Sequence, residues 1–347
     1  MTSVSAPAWR RMARAVPART VMVPLSLILI ALVLSLLTLG VGTAGIGLGD
    51  AIGLLTGGID PVRADLMVDF LLPRVLVSWL VGIGLAVSGG VLQGVIRNPL
   101  AAPDIIGITK GAGLGAMVML LAWPTAGVAA IPLAAVAGGM GAALLVYLFA
   151  YRRGTTPVRL AMVGIAVSAA CEAGIRYLIV RNPPDVNSAL IWLTGSLFGR
   201  TMRDVALFLP WILLLLPAVL YQTRKLDVLG LGDDLASGLG EPVERTRQIA
   251  LALAVALASS AVAVAGTVGF VGLIAPHIAR RLVGGRHAAL LPTAAAVGVV
   301  LMLVADAFGR GVNPPLEIPA GLITALIGGP YFLYLLAKTA KATTSGR

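Results

Sequence analysis

The chain has 347 residues, 58% of them hydrophobic and only 12% charged, with a mean hydropathy of +0.96 and a formal net charge of +11. That apolarity excludes an ordinary soluble domain and identifies a polytopic membrane protein. Nucleic-acid binding is set aside as the meaning of the positive charge, because Lys and Arg fall in short tracts between apolar runs and not on one polar domain.

A membrane-spanning helix takes about 20 mostly apolar residues, or fewer where neighbouring helices shield it. Arg10, Arg11, Arg14 and Arg19 precede the first run, Val21–Leu39. It is longer than the ~7–15-residue apolar core of a signal peptide, so a retained span is expected. Further candidate spans are Pro73–Gly94, Gly107–Trp123, Val128–Tyr151, Pro157–Val180, Val205–Tyr221, Gln248–Gly266, Val268–Val283, Ala288–Phe308 and Pro319–Lys338. The fold class is therefore all-α, a single membrane domain of ten spans across residues 1–347. With both termini inside, 19 of the 26 Lys and Arg residues lie on the inner side, Lys110 and Arg286 among them. The remaining seven, Arg63, Arg74, Arg176, Arg181, Arg200, Arg203 and Arg310, lie on or near the outside, as a positive-inside orientation requires. The outer segments Gly40–Leu72 and Arg181–Asp204 each have room for a short surface helix, and the first carries Asp50, Asp60, Asp65 and Asp69. The 42 glycines and the many alanines suit close helix packing.

One inner segment is anomalous. In Arg224–Arg247, nine of 24 residues are charged, between two long apolar runs. Its middle, Gly230 to Gly240, reads as a short helix framed by glycine turns, a docking element for a soluble partner. A second irregular stretch, Ser88 to Ala112, carries Pro99, Pro103 and Gly107 between two spans. The backbone groups freed there must be buried in protein or hydrated.

The segment SGGVLQGVIRNPLAAPDIIGITKGAG resembles the signature of a known family between its second and third spans, the FecCD/BtuC-type permease subunits of binding-protein-dependent ABC importers. GTVGFVGLIAPHIARRLVG at Gly266–Gly284 and EIPAGLITALIGGPYFLYLLAK at Glu317–Lys338 are similar to two further motifs of that family. The resemblance runs from Leu72 onward. It implies a type II importer fold of ten helices per subunit in the bacterial cytoplasmic membrane. It also implies a second permease subunit, identical or paralogous, an extracytoplasmic substrate-binding protein and a cytoplasmic ABC ATPase dimer that uses ATP-Mg, with no cofactor on this chain. The cargo it implies is a ferric siderophore, with haem or cobalamin as alternatives. The loop at Leu229–Arg247 takes the place of the family's coupling helices, with Gly232, Asp233, Asp234, Leu235, Ala236, Leu239 and Gly240 on the matching pattern and Asp where Glu is commoner. Arg74 and Arg310 match positions that dock the binding protein through acidic residues, although Arg310 also stands one turn from Asp306.

Other polar residues keep two readings. Glu172 and Arg176 stand four apart in the fifth span and either line the pathway or form a static pair. Gln93 and Asn98 are either helix-packing hydrogen bonders or gate residues. Cys171 reads as packing, His287 as solvated in a basic inner loop, and Trp192, Tyr331, Phe332 and Tyr334 as interfacial belt or core. His277, His287 and Cys171 give no metal-ligand spacing. No G-x-x-x-x-G-K-[ST] run occurs, so the energy must come from another chain. An ion-coupled secondary transporter would need titratable groups at mid-membrane, and a membrane enzyme a nucleophile–base or metal constellation. The sequence is short of the first and shows none of the second.

Overall fold

The computed structural model describes residues 18–40, 47–123, 125, 130–151, 156–314 and 316–344. Arg10, Arg11, Arg14, Arg152, Arg153 and Arg347, all counted in the charge distribution, lie outside the described residues. The chain is built of helices: α1 (Ala18–Leu39), α2 (Leu48–Thr56), α3 (Pro61–Leu66), α4 (Leu72–Ile96), α5 (Ile108–Met117), α6 (Ala130–Ala150), α7 (Pro157–Arg181), α8 (Val186–Leu193), α9 (Met202–Tyr221), α10 (Thr223–Leu229), α11 (Asp233–Gly238), α12 (Val243–Ala265), α13 (Val271–Val283), α14 (His287–Gly311) and α15 (Ala320–Thr344). Wider π-turns, Met67–Leu71 and Val118–Ala122, join α3 to α4 and extend α5. The end carrying α10 and α11 is the Lys/Arg-rich one and is termed inner, and the opposite end outer.

Seven helical stretches are long and apolar enough to cross a bilayer: α1, the continuous α3–α4 rod, α6, α7, α9, α12 and α14. The other three expected spans are the shorter α5 and α13 and the 25-residue α15, with apolar stretches Ile108–Ala122 in α5 and the π-turn after it and Ala320–Leu335 in α15. Short helices are tolerated at membrane depth because their irregular ends are covered by protein. Phe270 holds a left-handed φ of 66° where α13 begins, so this span starts at Val271 and not Val268. Its backbone N–H points at the Asp104 carboxylate, and its ring fills the notch at Gly328 of α15.

α4 is the central pillar, buried almost throughout, and packs on α9, α12, α13 and α14. Small residues make this possible. A Cβ on Gly82 would lie 2.6 Å from the Gly298 carbonyl oxygen, and one on Gly89 would overlap the backbone at Gly272. Backbones in contact gain dispersion energy that lipid tails cannot supply to larger side chains. α1, α6, α7 and α9 form the periphery with mostly exposed apolar faces, as lipid or protein contact requires. Both outer segments carry the short helices their length allowed, α2 and α3 in the first and α8 in the second.

Candidate coupling surface and charged clusters

At the inner end, α10 and α11 form the bulk of the charged island. Gly232, at φ 107°, starts α11, Asp233 and Asp234 occupy its first turn where the helix dipole favours anions, and Gly240 at φ 83° lies past its end. Ala236 is fully buried against the body, whereas Leu231, Leu235 and Leu239 are 56%, 63% and 67% exposed. Leu235 in α11 and Leu239 at its C-cap, four apart, share one outward face, and Leu231 is exposed in the turn that precedes the helix. Asp233 is not a free surface acid. Its carboxylate accepts Arg97 Nη2 at 3.0 Å and Arg247 Nη2 at 2.9 Å, and the Arg247 side chain is almost wholly buried. One carboxylate thus ties α11 to the C-terminus of α4 and to the first turns of α12. Arg97 adopts a left-handed φ of 53° as it leaves α4. Asp234 is exposed. The outward face is therefore apolar with one acid beside it.

Asp227 of α10 makes a second tie. It accepts the His287 backbone N–H at 2.9 Å and pairs with the ring Nδ1 at 2.6 Å, so a side chain from α10 caps α14. Burial alone would push this carboxyl up. The two bonds from His287 and the charges of His287 and Arg286 outweigh that and hold it below its ordinary value. His287, expected to be solvated, is only 4% exposed, because the cap draws it under α10 and its ring packs on Gly94. Gln93 is buried and donates to the Leu273 carbonyl, joining α4 to α13, and Asn98 Oδ1 accepts the Leu100 N–H to shape the turn. Both also line an inner cavity of about 450 Å³ with Arg97, Asp227, Arg280 and His287.

At the outer end, Arg74 and Arg310 are not surface cations. Arg74 donates through Nε to Asp306 at 2.8 Å and through Nη1 to Glu317 at 2.8 Å. Arg310 pairs with the other Asp306 oxygen at 3.1 Å and donates to the Thr38 carbonyl at 2.9 Å. The side chains of Asp306 and Arg310 are 3% and 2% exposed. The expected pairing of Arg310 with Asp306 is present, but inside a network that clamps α1, α4, α14 and the segment before α15. Their burial has a physical cause: two guanidinium groups brought together by helix packing need two carboxylates, and Glu317 supplies the second. The exposed acids at this end are Asp60, Asp65 and Asp69 beside α3.

Glu172 and Arg176 share a face of α7 and pair at 3.1 Å. A third member comes from α5, Lys110, 2.6 Å from Glu172. This moves Lys110 from its expected inner position into the membrane. The turn through Pro99, Pro103 and Gly107 carries the chain back from the inner end of α4, so that Lys110 in the first turn of α5 stands level with Glu172 of α7. Fully lipid-exposed charges at helix-centre depth would cost about 2.5–3.5 kcal/mol each on insertion scales. Sequence spacing found the Glu172–Arg176 pair but missed Lys110, Arg97 with Arg247, and Asp227 with His287, whose partners lie 60 or more residues apart or across a turn. The dense charge around residues 224–247 was the one signal for the latter two groups. Among the described residues no three His, Cys, Asp or Glu side chains gather to hold a metal.

The chain as a whole is similar to known proteins. Residues 27–338 match the FecCD transport family. The chain is 50% identical over 292 residues to the Fe(3+)-citrate import system permease protein YfmE of Bacillus subtilis (strain 168), covering 84% of this chain and 88% of that one. It is 45% identical over 272 residues to the Fe(3+) dicitrate transport system permease protein FecD of Escherichia coli (strain K12), covering 78% and 85%. Its fold superposes on a metal-chelate type ABC transporter solved in an inward-facing conformation with a TM-score of 0.82 at 31% identity, covering 91% of this chain and 99% of that one. With seven long apolar helical stretches among the described residues, α4 central among them, and these matches over most of its length, the chain belongs to the FecCD transport family.

Proposed function

We propose that this chain is the translocation subunit of an ABC importer that carries ferric siderophores of the iron–citrate kind across the cytoplasmic membrane. It works beside a second permease subunit, receives cargo from an extracytoplasmic binding protein and is driven by a separate ATPase dimer. Both termini lie in the cytoplasm, and the chain binds no cofactor of its own, since ATP-Mg belongs to the ATPase.

The observation that carries this reading is the anchored leucine face of α11. Exposed Leu231, Leu235 and Leu239 each gain about 1.5–3 kcal/mol where a partner buries them fully. Its attachment through Asp233 to Arg97 and Arg247, together with that of the adjoining α10 through Asp227 to His287, makes the α10–α11 segment a lever. A push on α11 moves the inner ends of α4, α12 and α14 together. The leucines, not Asp233, are the contact with the ATPase. The relatives' iron–citrate cargo supports the substrate class.

Transport assays on the reconstituted complex test this. In proteoliposomes holding the permease pair, its ATPase and its binding protein, ⁵⁵Fe(III)-citrate uptake is expected to require internal ATP and to persist with a protonophore. Uptake driven by a proton gradient without ATP would sink the reading, and uptake of cobalamin or haem in place of ferric citrate would correct its cargo.

A further inference from the structure

The cluster of Lys110, Glu172 and Arg176 sits where a lipid-facing surface has no place for it. α7 has 25 residues, about 37 Å at ~1.5 Å per residue, against a hydrocarbon slab about 30 Å thick. Glu172 lies roughly 13 Å short of the outer end of α7, and its bond to Lys110 brings that ammonium to the same depth. The chain itself does not cover these groups. Arg176 is 76% exposed and Lys110 41%. Ala169, Ala170 and Ala173, also exposed, occupy the same stretch of α7, so the charges stand above a shallow, small-residue wall. Ionic groups at such depth face a water-filled passage or a protein neighbour. A static pair accounts for Glu172 and Arg176 alone. It does not account for a second cation brought in from α5, nor for the exposure of Arg176.

Two cations share one carboxylate, and among the described residues no second acid pairs with either. Asp104, buried near the start of α5 and linked electrostatically to Lys110, offsets part of that ammonium's charge, so the net surplus is less than one positive charge per chain. It resides chiefly on Arg176, the member nearest the outer mouth, which engages Glu172 through Nε. A guanidinium presents its remaining N–H edge in the geometry that carboxylates match. One-sign charge between low-dielectric walls concentrates solutes of opposite sign. Glu172 limits the surplus, so an anion is attracted and still released, as passage requires.

We propose that Lys110 and Arg176 form a charge filter on the pathway face of α7, selecting anionic ferric chelates of the polycarboxylate class over neutral or cationic ferric hydroxamates. Glu172 is the positioning residue that holds both cations at the same level. The proposal rests on the chain being a pathway-forming permease subunit and deepens that reading.

The test uses the assembled importer in proteoliposomes, with ⁵⁵Fe(III)-citrate as probe and with iron uptake and ATP hydrolysis measured together. Arg176→Glu is expected to lower iron moved per ATP by ~10-fold or more, the lower end of such focusing effects. Arg176→Gln should fall between, Arg176→Lys should stay near wild type, and the ATPase rate without chelate should not change. Lys110→Gln is the second variant and should lose uptake in the same direction while the complex still assembles. Wild-type transport by Arg176→Glu overturns the filter, as does a loss in Arg176→Lys as deep as in Arg176→Glu, which marks packing and not charge. If the wild-type complex moves a neutral ferric hydroxamate as fast as ferric citrate at equal saturation of the binding protein, the filter fails and the permease reading stands. If it shows no ATP-dependent uptake of any ferric chelate, both fail.

Discussion

Replacing Asp306 with Asn removes the charge that two buried guanidinium groups share while keeping the side chain's shape. In the native cluster Arg74 and Arg310 face Asp306 and Glu317, so the charges balance. In the variant Arg74 still has Glu317 at 2.8 Å, whereas Arg310, 2% exposed, loses its ion pair with Asp306. Removing one partner of a buried pair costs about 3–5 kcal/mol, because the stranded charge can be neither hydrated nor neutralised. Arg310→Met is the control. It leaves Asp306 paired with Arg74, and the surplus negative charge falls on Glu317, whose side chain is 26% exposed and reachable by water. Losing the bond to the Thr38 carbonyl and the ion pair should then cost only about 1–2 kcal/mol. Cys171, the single cysteine and buried, is a built-in reporter: a thiol-reactive fluorogenic dye reads its exposure during thermal unfolding in detergent. The midpoint is expected to fall at least twice as far for Asp306→Asn as for Arg310→Met. Equal falls, or a loss under about 1 kcal/mol for Asp306→Asn, would refute the reasoning, since either result means that water reaches Arg310.

Three further outcomes are expected. Leu235→Glu, on the exposed face of α11, should abolish co-purification of the ATPase while leaving the unfolding midpoint of the isolated chain within about 0.5 kcal/mol of wild type, whereas Asp233→Asn should lower that midpoint itself by breaking the ties to Arg97 and Arg247. The Asp227 carboxyl titrates below its ordinary value when folded, so its contribution is complete above the unfolded value of about 4 and is lost as pH falls through the lowered folded one. Midpoints measured from pH 7 to strongly acid conditions should therefore drop more steeply below about pH 4 for wild type than for Asp227→Asn. Gly89→Ala places a methyl group in the backbone at Gly272 and should cost about 1–3 kcal/mol or prevent folding, seen as loss of monodisperse protein, whereas alanine at the open Gly141 should be neutral.

Much of this protein was legible from its residues one segment at a time. Runs of apolar residues located every span, because hydrocarbon demands an internally bonded backbone and a helix supplies it within a single stretch. The short outer helices and the α11 segment were legible for a related reason: glycine and proline act locally on the backbone. The spacing of Glu172 and Arg176 gave their pairing, because four residues is one helical turn. Positions relative to the membrane were less secure. Lys110 looked like an inner-loop cation until the turn through Pro99 and Pro103 carried it to Glu172. Arg74 and Arg310 looked like outer surface charges until α4 and α14 crossed and enclosed them.

What the sequence by itself determined is an all-helical membrane protein, its spans and its charged inner loop, all properties of contiguous residues and their transfer from water to lipid. Only the tertiary structure decided which charges are spent. Asp233 is tied to Arg97 and Arg247, Asp227 caps α14 through His287, and Asp306 and Glu317 together neutralise Arg74 and Arg310, whereas the leucines of α11 and the cluster around Arg176 stay exposed. The reason is physical. A charge's environment depends on groups that helix packing brings within about 3–4 Å, and those groups lie far along the chain, where no sequence period can point to them.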